Sequence, residues 1–189
     1  MDIGHLHSVF WAIFALVWIF GWLQTKQTKE LAPLSSRLTY AIPVVIGSYL
    51  IFNDRTVLSP LQSLTVPKGF AIQVAALIMT AAGLGFAIWA RFCIGQNWSS
   101  TVSVKVGHEL VRTGPYRWVR HPIYSGILLA LLGTALHRAR MQDLLAVPLF
   151  GLGFWIKMTM EEQFMRRTFG EEYLEYARMT GALVPKLRF

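Results

Sequence analysis

Cysteine is almost missing from this 189-residue chain, in which Cys93 stands alone. A single thiol excludes an internal disulfide framework and a zinc site built on several cysteines. It closes an apolar run, where a buried inert thiol is the ordinary reading. Charge is scarce too: Asp, Glu, Lys and Arg make up 15% of the residues, against about a quarter in soluble domains. Acids are the scarcest, 10 against 18 Lys and Arg, which leaves a net charge of +8. So basic a chain raises nucleic acid as a partner, but that needs cations gathered on one solvated face. Here they flank long apolar runs, so no nucleic-acid partner is expected, and no metal site. Internal repeats and low-complexity segments are absent as well.

Apolar sequence is what the chain has in quantity. Hydrophobic residues reach 54% and mean hydropathy is +0.44, which is membrane-class composition. A hydrocarbon core of about 30 Å needs roughly 20 apolar helical residues. Val9 to Leu23, VFWAIFALVWIFGWL, carries no charge. Met1 to Ser8 before it holds one Asp and no Lys or Arg, so a retained anchor is expected rather than a signal peptide. Leu38 to Phe52 is the second expected span, with Pro43 tolerated inside it. Phe70 to Ala90 is the clearest, and its small residues Ala75, Ala76, Ala81, Ala82, Gly83 and Gly85 suit close helix contact, within the chain or in a dimer. Residues 91–121 are too polar to span. Apolarity returns at Ile123 to Leu136 and Leu144 to Thr159, joined by a connector short enough for an antiparallel helical hairpin.

The fold expected is therefore an all-α integral membrane protein with about five transmembrane helices. It forms a single membrane domain over 1–189, with N-terminal helices in 1–90 and a functional half in 91–189. Thirteen Lys and Arg fall on one side of such a layout, among them Lys26, Arg37, Arg91, Arg120, Arg166 and Arg188. Only Arg55, Lys68, Arg138 and Arg140 fall on the other, with Lys157 inside the last span. The positive-inside rule puts the N-terminus outside and the C-terminus inside, so the polar loop and the tail share the cytosolic face.

The densest polar stretch is HELVRTGPYRWVRHPIYSG, His108 to Gly126. Gly114-Pro115 is a turn signal, and Pro122 fits the first position of a helix, where its missing N–H costs little. Arg120 and His121 then sit at a helix N-terminus, whose free N–H groups and partial positive charge suit a carboxylate. Tyr116, Trp118 and Tyr124 add aromatic faces that can meet a base or a cation, although Arg117 and Trp118 also fit plain interfacial anchoring. Glu161-Glu162 follows the last span. Acids at a membrane edge are costly unless paired or wetted. Neighbours on a helix diverge by about 100°, so one of the two faces a given site: Glu162 is expected there, with Glu161 structural. Glu162 can equally form an i,i+4 surface pair with Arg166. Phe169, Tyr173 and Tyr176 form an i, i+4, i+7 stripe that reads as packing of the tail over the loop. A partner matching these features carries a carboxylate, an amine and an aromatic ring, and a tyrosine face would also suit a sulfonium. S-adenosylmethionine has all four, and a nicotinamide dinucleotide also offers a ring and anions.

This loop, followed by a hydrophobic hairpin and then EEQFMRRTFGEEYLEYARMTGALVPKL, resembles the isoprenylcysteine carboxyl methyltransferase family and its prokaryotic relatives. It is similar, more distantly, to phospholipid methyltransferases. The resemblance runs from about Arg91 to Leu187. It implies S-adenosylmethionine as cofactor, leaving S-adenosylhomocysteine, in a cytosolic pocket formed by the 91–121 loop and the tail. It implies cofactor contacts from His108, Leu110, Gly114, Tyr116, His121, Tyr124 and Glu162, with Arg120 and Glu162 at the reacting centre. It further implies a lipophilic acceptor (carboxylate, thiol or amine) that enters from the bilayer of a prokaryotic cytoplasmic membrane. Two other functions fit the residues less well. A membrane reductase of sterol or enone lipids would bind NADPH, whereas a transporter or scaffold would bind no adenosine cofactor; against the latter, the spans hold few charges and no paired repeat.

Overall fold

The computed structural model describes residues 3–53 and 67–186. Arg55 and Arg188, both counted in the charge asymmetry, lie outside the described residues, as does Leu187 at the end of the resemblance. Among the described residues there are five long helices and one short one: α1 (Ile3–Trp22), α2 (Leu34–Phe52), α3 (Phe70–Ile94), α4 (Pro122–Arg138), α5 (Met141–Phe169) and α6 (Glu171–Met179). The protein is an integral membrane protein. α1, α2, α3 and α5 are long and apolar enough to cross a membrane. α4 is the exception among the five expected spans. Its 17 residues rise about 26 Å, somewhat less than the hydrocarbon thickness.

The connector between α4 and α5 is short, as expected, yet the two helices are not each other's main partners. α4 packs chiefly on α3, and α5 on α2. Small residues explain the first pairing. A Cβ added to Gly83 would lie 2.5 Å from the Gly126 carbonyl oxygen, and one added to Gly126 would lie 2.5 Å from that of Gly83. The helices therefore cross backbone to backbone, a contact that only glycine on both sides allows. Gly133 meets Ala76 and Thr80 farther along, which makes the pair antiparallel. Part of the small-residue face of α3 is thus spent within the chain, whereas Gly85 meets nothing. α1 fully buries only His7; Trp11 and Trp18 pack against the core, while Ile13, Leu16, Ile19 and Phe20 face outward.

A two-stranded antiparallel ribbon adds to the helical frame. β1 (Thr28–Leu31) pairs with β2 (Ser103–Lys105). Both strands are too short and polar to announce themselves by alternation; the pairing arises because α1 and α3 end side by side. Arg91 fixes that junction. Its guanidinium donates to the Gly95 carbonyl at 2.7 Å and to that of Gly21, and it lies 4.6 Å over the Trp98 ring. Lys26 then ties the loop by donating to Asn97 Oδ1 and to the Gly107 carbonyl. The polar 91–121 segment thereby becomes a fixed wall.

Candidate active site

α5 runs unbroken through Glu161 and Glu162 and stops at Gly170, whose φ of 54° starts the turn into α6. The two acids consequently point in different directions, and both reach the start of α4. Glu162 Oε1 accepts from Arg120 Nε at 2.7 Å and lies 3.3 Å from His121 Nε2. Glu161 accepts from the Tyr124 hydroxyl at 2.7 Å, and its other oxygen is 3.5 Å from His121 Nδ1. The His121 ring bridges the two carboxylates and stacks on Tyr124, which stacks in turn on Phe154. Burial alone would lower the His121 pKa, but hydrogen bonds with Glu161 and Glu162 more than offset it, so the value is raised. The i,i+4 pair of Glu162 with Arg166 exists, but at 3.8 Å it is secondary to the bond with Arg120.

The tail is stitched to the same place. The backbone N–H of Arg120 donates to Gly181 O at 2.9 Å and that of His121 to Ala182 O at 3.0 Å. Arg120 Nη1 also donates to the carbonyls of Thr180 (2.6 Å) and Ala177 (3.2 Å), and Ser125 Oγ donates to Leu183 O at 2.6 Å. The expected carboxylate receiver has therefore found partners within the protein. Arg120 holds Glu162 and the tail, and the N–H groups of Arg120 and His121 are taken by tail carbonyls. Pro122 is buried as the first residue of α4, as its lack of an N–H allows.

Between the loop and the tail lies a cleft enclosing about 830 Å³ of atom-free space, part of it open to solvent. Among the residues expected at the site, His108, Leu110, Tyr116, Arg120, His121 and Tyr124 line it. Gly114 does not. It turns the chain beside the cleft at φ 57°, where an added Cβ would strike Cys93 Sγ at 2.5 Å. Of the two acids, Glu161 is on the wall, and Glu162 sits behind it with Arg120. This reverses the positions expected for the pair. A single helix start gives no rotational phase for another helix, so only packing could settle which acid faces in.

Sequence reasoning missed other parts of the wall. Asn97, Trp98 and Ser99 enter from the turn after α3, and Met165 enters from α5. Tyr173 and Tyr176, read as packing, both pack and line the cleft: the Tyr176 hydroxyl donates to Tyr116 O at 2.7 Å. Phe169 lies 5.8 Å from the His108 ring. Their i, i+3 spacing was a signal, but it did not distinguish a wall from a lid. Burial raises the phenol pKa values of Tyr116 and Tyr173 and pushes that of Tyr176 up to about 12, so these rings stay neutral. Burial, with the nearby Lys26 and Lys105, lowers that of His108, so its ring is neutral at physiological pH. The cleft thus has a carboxylate, neutral phenols, an aromatic-lined slot and a guanidinium on its walls.

A sequence model of the phospholipid methyltransferase family matches residues 71–172, more than half of the chain. The chain belongs to that family. It is 28% identical over 166 residues to human protein-S-isoprenylcysteine O-methyltransferase, covering 82% of this chain and 54% of that one. It is 29% identical over 90 residues to the uncharacterized protein YpbQ of Bacillus subtilis, covering 48% of this chain and 52% of the relative. In fold it is similar to a eukaryotic intramembrane Ras methyltransferase, isoprenylcysteine carboxyl methyltransferase. The TM-score is 0.53 at 24% identity, over 77% of this chain and 52% of that structure. The chain spans about half the length of these relatives. The family match takes in α3, the loop, α4 and α5, and so both acids and the α4 start, while α1, α2 and most of α6 fall outside it.

Proposed function

We propose that this phospholipid methyltransferase family member transfers a methyl group from S-adenosylmethionine to a lipophilic acceptor arriving from the bilayer. The observation that carries this reading is the cleft itself: its walls join the His108–Tyr116 loop, the α4 start and Glu161, the three parts of the motif order. The groups present fit the cofactor. Glu161 suits its amine or sulfonium, neutral phenol faces suit a cation, and Leu110 with its apolar neighbours suits the adenine ring. When bound, S-adenosylmethionine supplies an electrophilic methyl group on sulfur.

The chain's own residues orient the partners and exclude water. His108, Leu110, Tyr116, His121 and Tyr124 are assigned to cofactor contact, with Gly114 shaping the turn that presents them. Arg120 is assigned to the reacting centre. On geometry, the cavity-facing part expected of Glu162 goes to Glu161, and Glu162 positions Arg120 and His121. Positioning and desolvation are the main sources of rate in such a transfer. A tail docked on α4 encloses the site, and the loop keeps it beside the membrane. The thirteen-to-four distribution of Lys and Arg supports a cytosolic location for it.

Calorimetry on detergent-purified protein with S-adenosylmethionine, S-adenosylhomocysteine and NADPH tests the cofactor. Binding of the first two without NADPH is the expected result. Binding of NADPH alone would replace methyl transfer with reduction. Mass spectrometry of membrane lipids after incubation with methyl-labelled cofactor then identifies the acceptor.

A further inference from the structure

One group of the cofactor has no partner in the reading above. S-adenosylmethionine carries a carboxylate, and the receiver expected for it is occupied. Arg120 holds Glu162 and the carbonyls of Ala177 and Thr180, and the N–H groups of Arg120 and His121 are bonded to the tail. The part of the wall formed by the turn after α3 and by the loop offers two other donors. The first is Asn97, which lines the cleft and is 7% exposed. Lys26 Nζ donates to its Oδ1 at 3.1 Å. An ammonium has no acceptor, so the amide oxygen must face the lysine and the NH2 must turn away from it. That NH2 donates to no group among the described residues and is open to the cleft. The second is His108. The Lys105 backbone N–H donates to its Nδ1 at 3.2 Å, which makes Nδ1 the acceptor. In the neutral ring the proton is therefore on Nε2, and this N–H also has no hydrogen-bond partner among the described residues.

Lys26 ties the two donors together. Its backbone N–H donates to Gln96 O at 3.0 Å and its ammonium to Gly107 O at 2.9 Å, so it grips the residue before each of them. Its bond to Oδ1 also polarises the Asn97 amide, which strengthens the donors at the other end. Both positions present N–H only, and both are backed by cations, the half-buried Lys26 and the buried Lys105. Such a pair disfavours an ammonium or a sulfonium and suits an acceptor with negative charge. The carboxylate is the one anionic group of S-adenosylmethionine. We propose that Asn97 and His108 form a two-donor clamp for the cofactor carboxylate, and that Lys26, which lies outside the family match, is the residue that positions it. The clamp presupposes the methyl-transfer reading, in which Glu161 takes the amine or the sulfonium.

The test uses the full chain in nanodiscs and two ligands read by calorimetry. One is S-adenosylhomocysteine; the other is S-adenosylthiopropylamine, which keeps the nucleoside, the sulfur and the amine but lacks the carboxylate. Wild type should bind the first about tenfold or more tightly than the second, the scale of one charge-assisted bond. Asn97→Asp keeps the shape and the bond from Lys26 but replaces the NH2 with a second oxygen. It should abolish that preference by weakening S-adenosylhomocysteine, with the amine ligand unchanged or tighter. His108→Phe keeps a ring against Phe169 and should remove part of the preference. Lys26→Met should also remove part of it, and Lys26→Arg should restore most of what Lys26→Met loses. In turnover, the KM for S-adenosylmethionine should rise more than kcat falls. Retained binding of S-adenosylthiopropylamine shows that each variant is folded. The clamp is overturned if wild type binds the two ligands equally, if Asn97→Asp keeps the preference, or if the variants weaken both ligands alike, as contact with the nucleoside or loss of loop structure would cause. Wild-type preference in Lys26→Met overturns the positioning assignment. If wild type binds neither ligand, the methyl-transfer reading falls and the clamp with it.

Discussion

Replacing Arg120 with Ala should open the tail before it alters anything else. The guanidinium makes three bonds at once, to Glu162 at 2.7 Å, Thr180 O at 2.6 Å and Ala177 O at 3.2 Å. Both ends of the ion pair are shielded, at 13% and 15% exposure. Breaking a buried pair by removing one partner costs about 3–5 kcal/mol. The lower end applies here, since Glu162 keeps His121 at 3.3 Å and Arg166 at 3.8 Å. The main-chain bonds from Arg120 and His121 to Gly181 and Ala182 also survive the substitution. The two bonds to the tail carbonyls are themselves charge-assisted, about 1.5 kcal/mol each at the low end, so losing both takes about 3 kcal/mol from tail docking and raises the open fraction roughly a hundredfold. Hydrogen–deuterium exchange over residues 171–186 should speed up accordingly. Methyl transfer should be lost, and S-adenosylhomocysteine should bind more weakly without its binding being abolished. Arg120→Lys should be intermediate, because a point charge can pair with Glu162 but cannot also span two carbonyls. Wild-type exchange in the tail together with wild-type turnover would refute both the latch and the assignment of Arg120.

Other expectations follow from single contacts. Gly83→Ala forces a Cβ to within 2.5 Å of the Gly126 carbonyl and should cost about 1–3 kcal/mol, read as a lower unfolding temperature in detergent. Gly85→Ala, with nothing nearby, is the control, and equal behaviour of the two would rule out the tight α3–α4 crossing. Tyr176→Phe leaves the Tyr116 carbonyl without its buried donor, a loss of about 1–3 kcal/mol, visible as faster exchange at residues 113–118. His121 should make stability fall with rising pH. Its folded-state pKa is raised above 6.5, so its contribution is complete below the unfolded value and is lost as pH climbs through the folded one. His121→Asn should flatten that slope above the unfolded value of about 6.5; an unchanged slope would mean that the imidazolium does not bridge the two acids.

Much of the fold was legible because membrane helices are specified locally. A long uncharged run such as Val9 to Leu23 has one low-energy form in hydrocarbon, since every backbone group must be satisfied within the segment. The start of α4 was legible for a similar reason: Pro122 suits only an early helical position. Which helices pair was not legible. The short connector pointed to an α4–α5 hairpin, yet glycine contacts between Gly83 and Gly126 draw α4 onto α3, and such contacts depend on both surfaces at once. The ribbon of β1 with β2 was invisible for the same reason, because its two strands lie more than seventy residues apart.

The candidate site divides along the same line. By itself, the sequence determined that this chain enters the membrane, that its polar chemistry gathers in the His108–Gly126 loop and the tail after Glu161, and that the order of those motifs marks its family. These are properties of composition, spacing and helix-starting residues. Tertiary structure alone decided that Glu161 faces the cleft while Glu162 backs Arg120, and that Tyr173 and Tyr176 serve as wall as well as packing. Each depends on the rotation of one helix relative to another, and that rotation is set by how side chains from distant segments fit together.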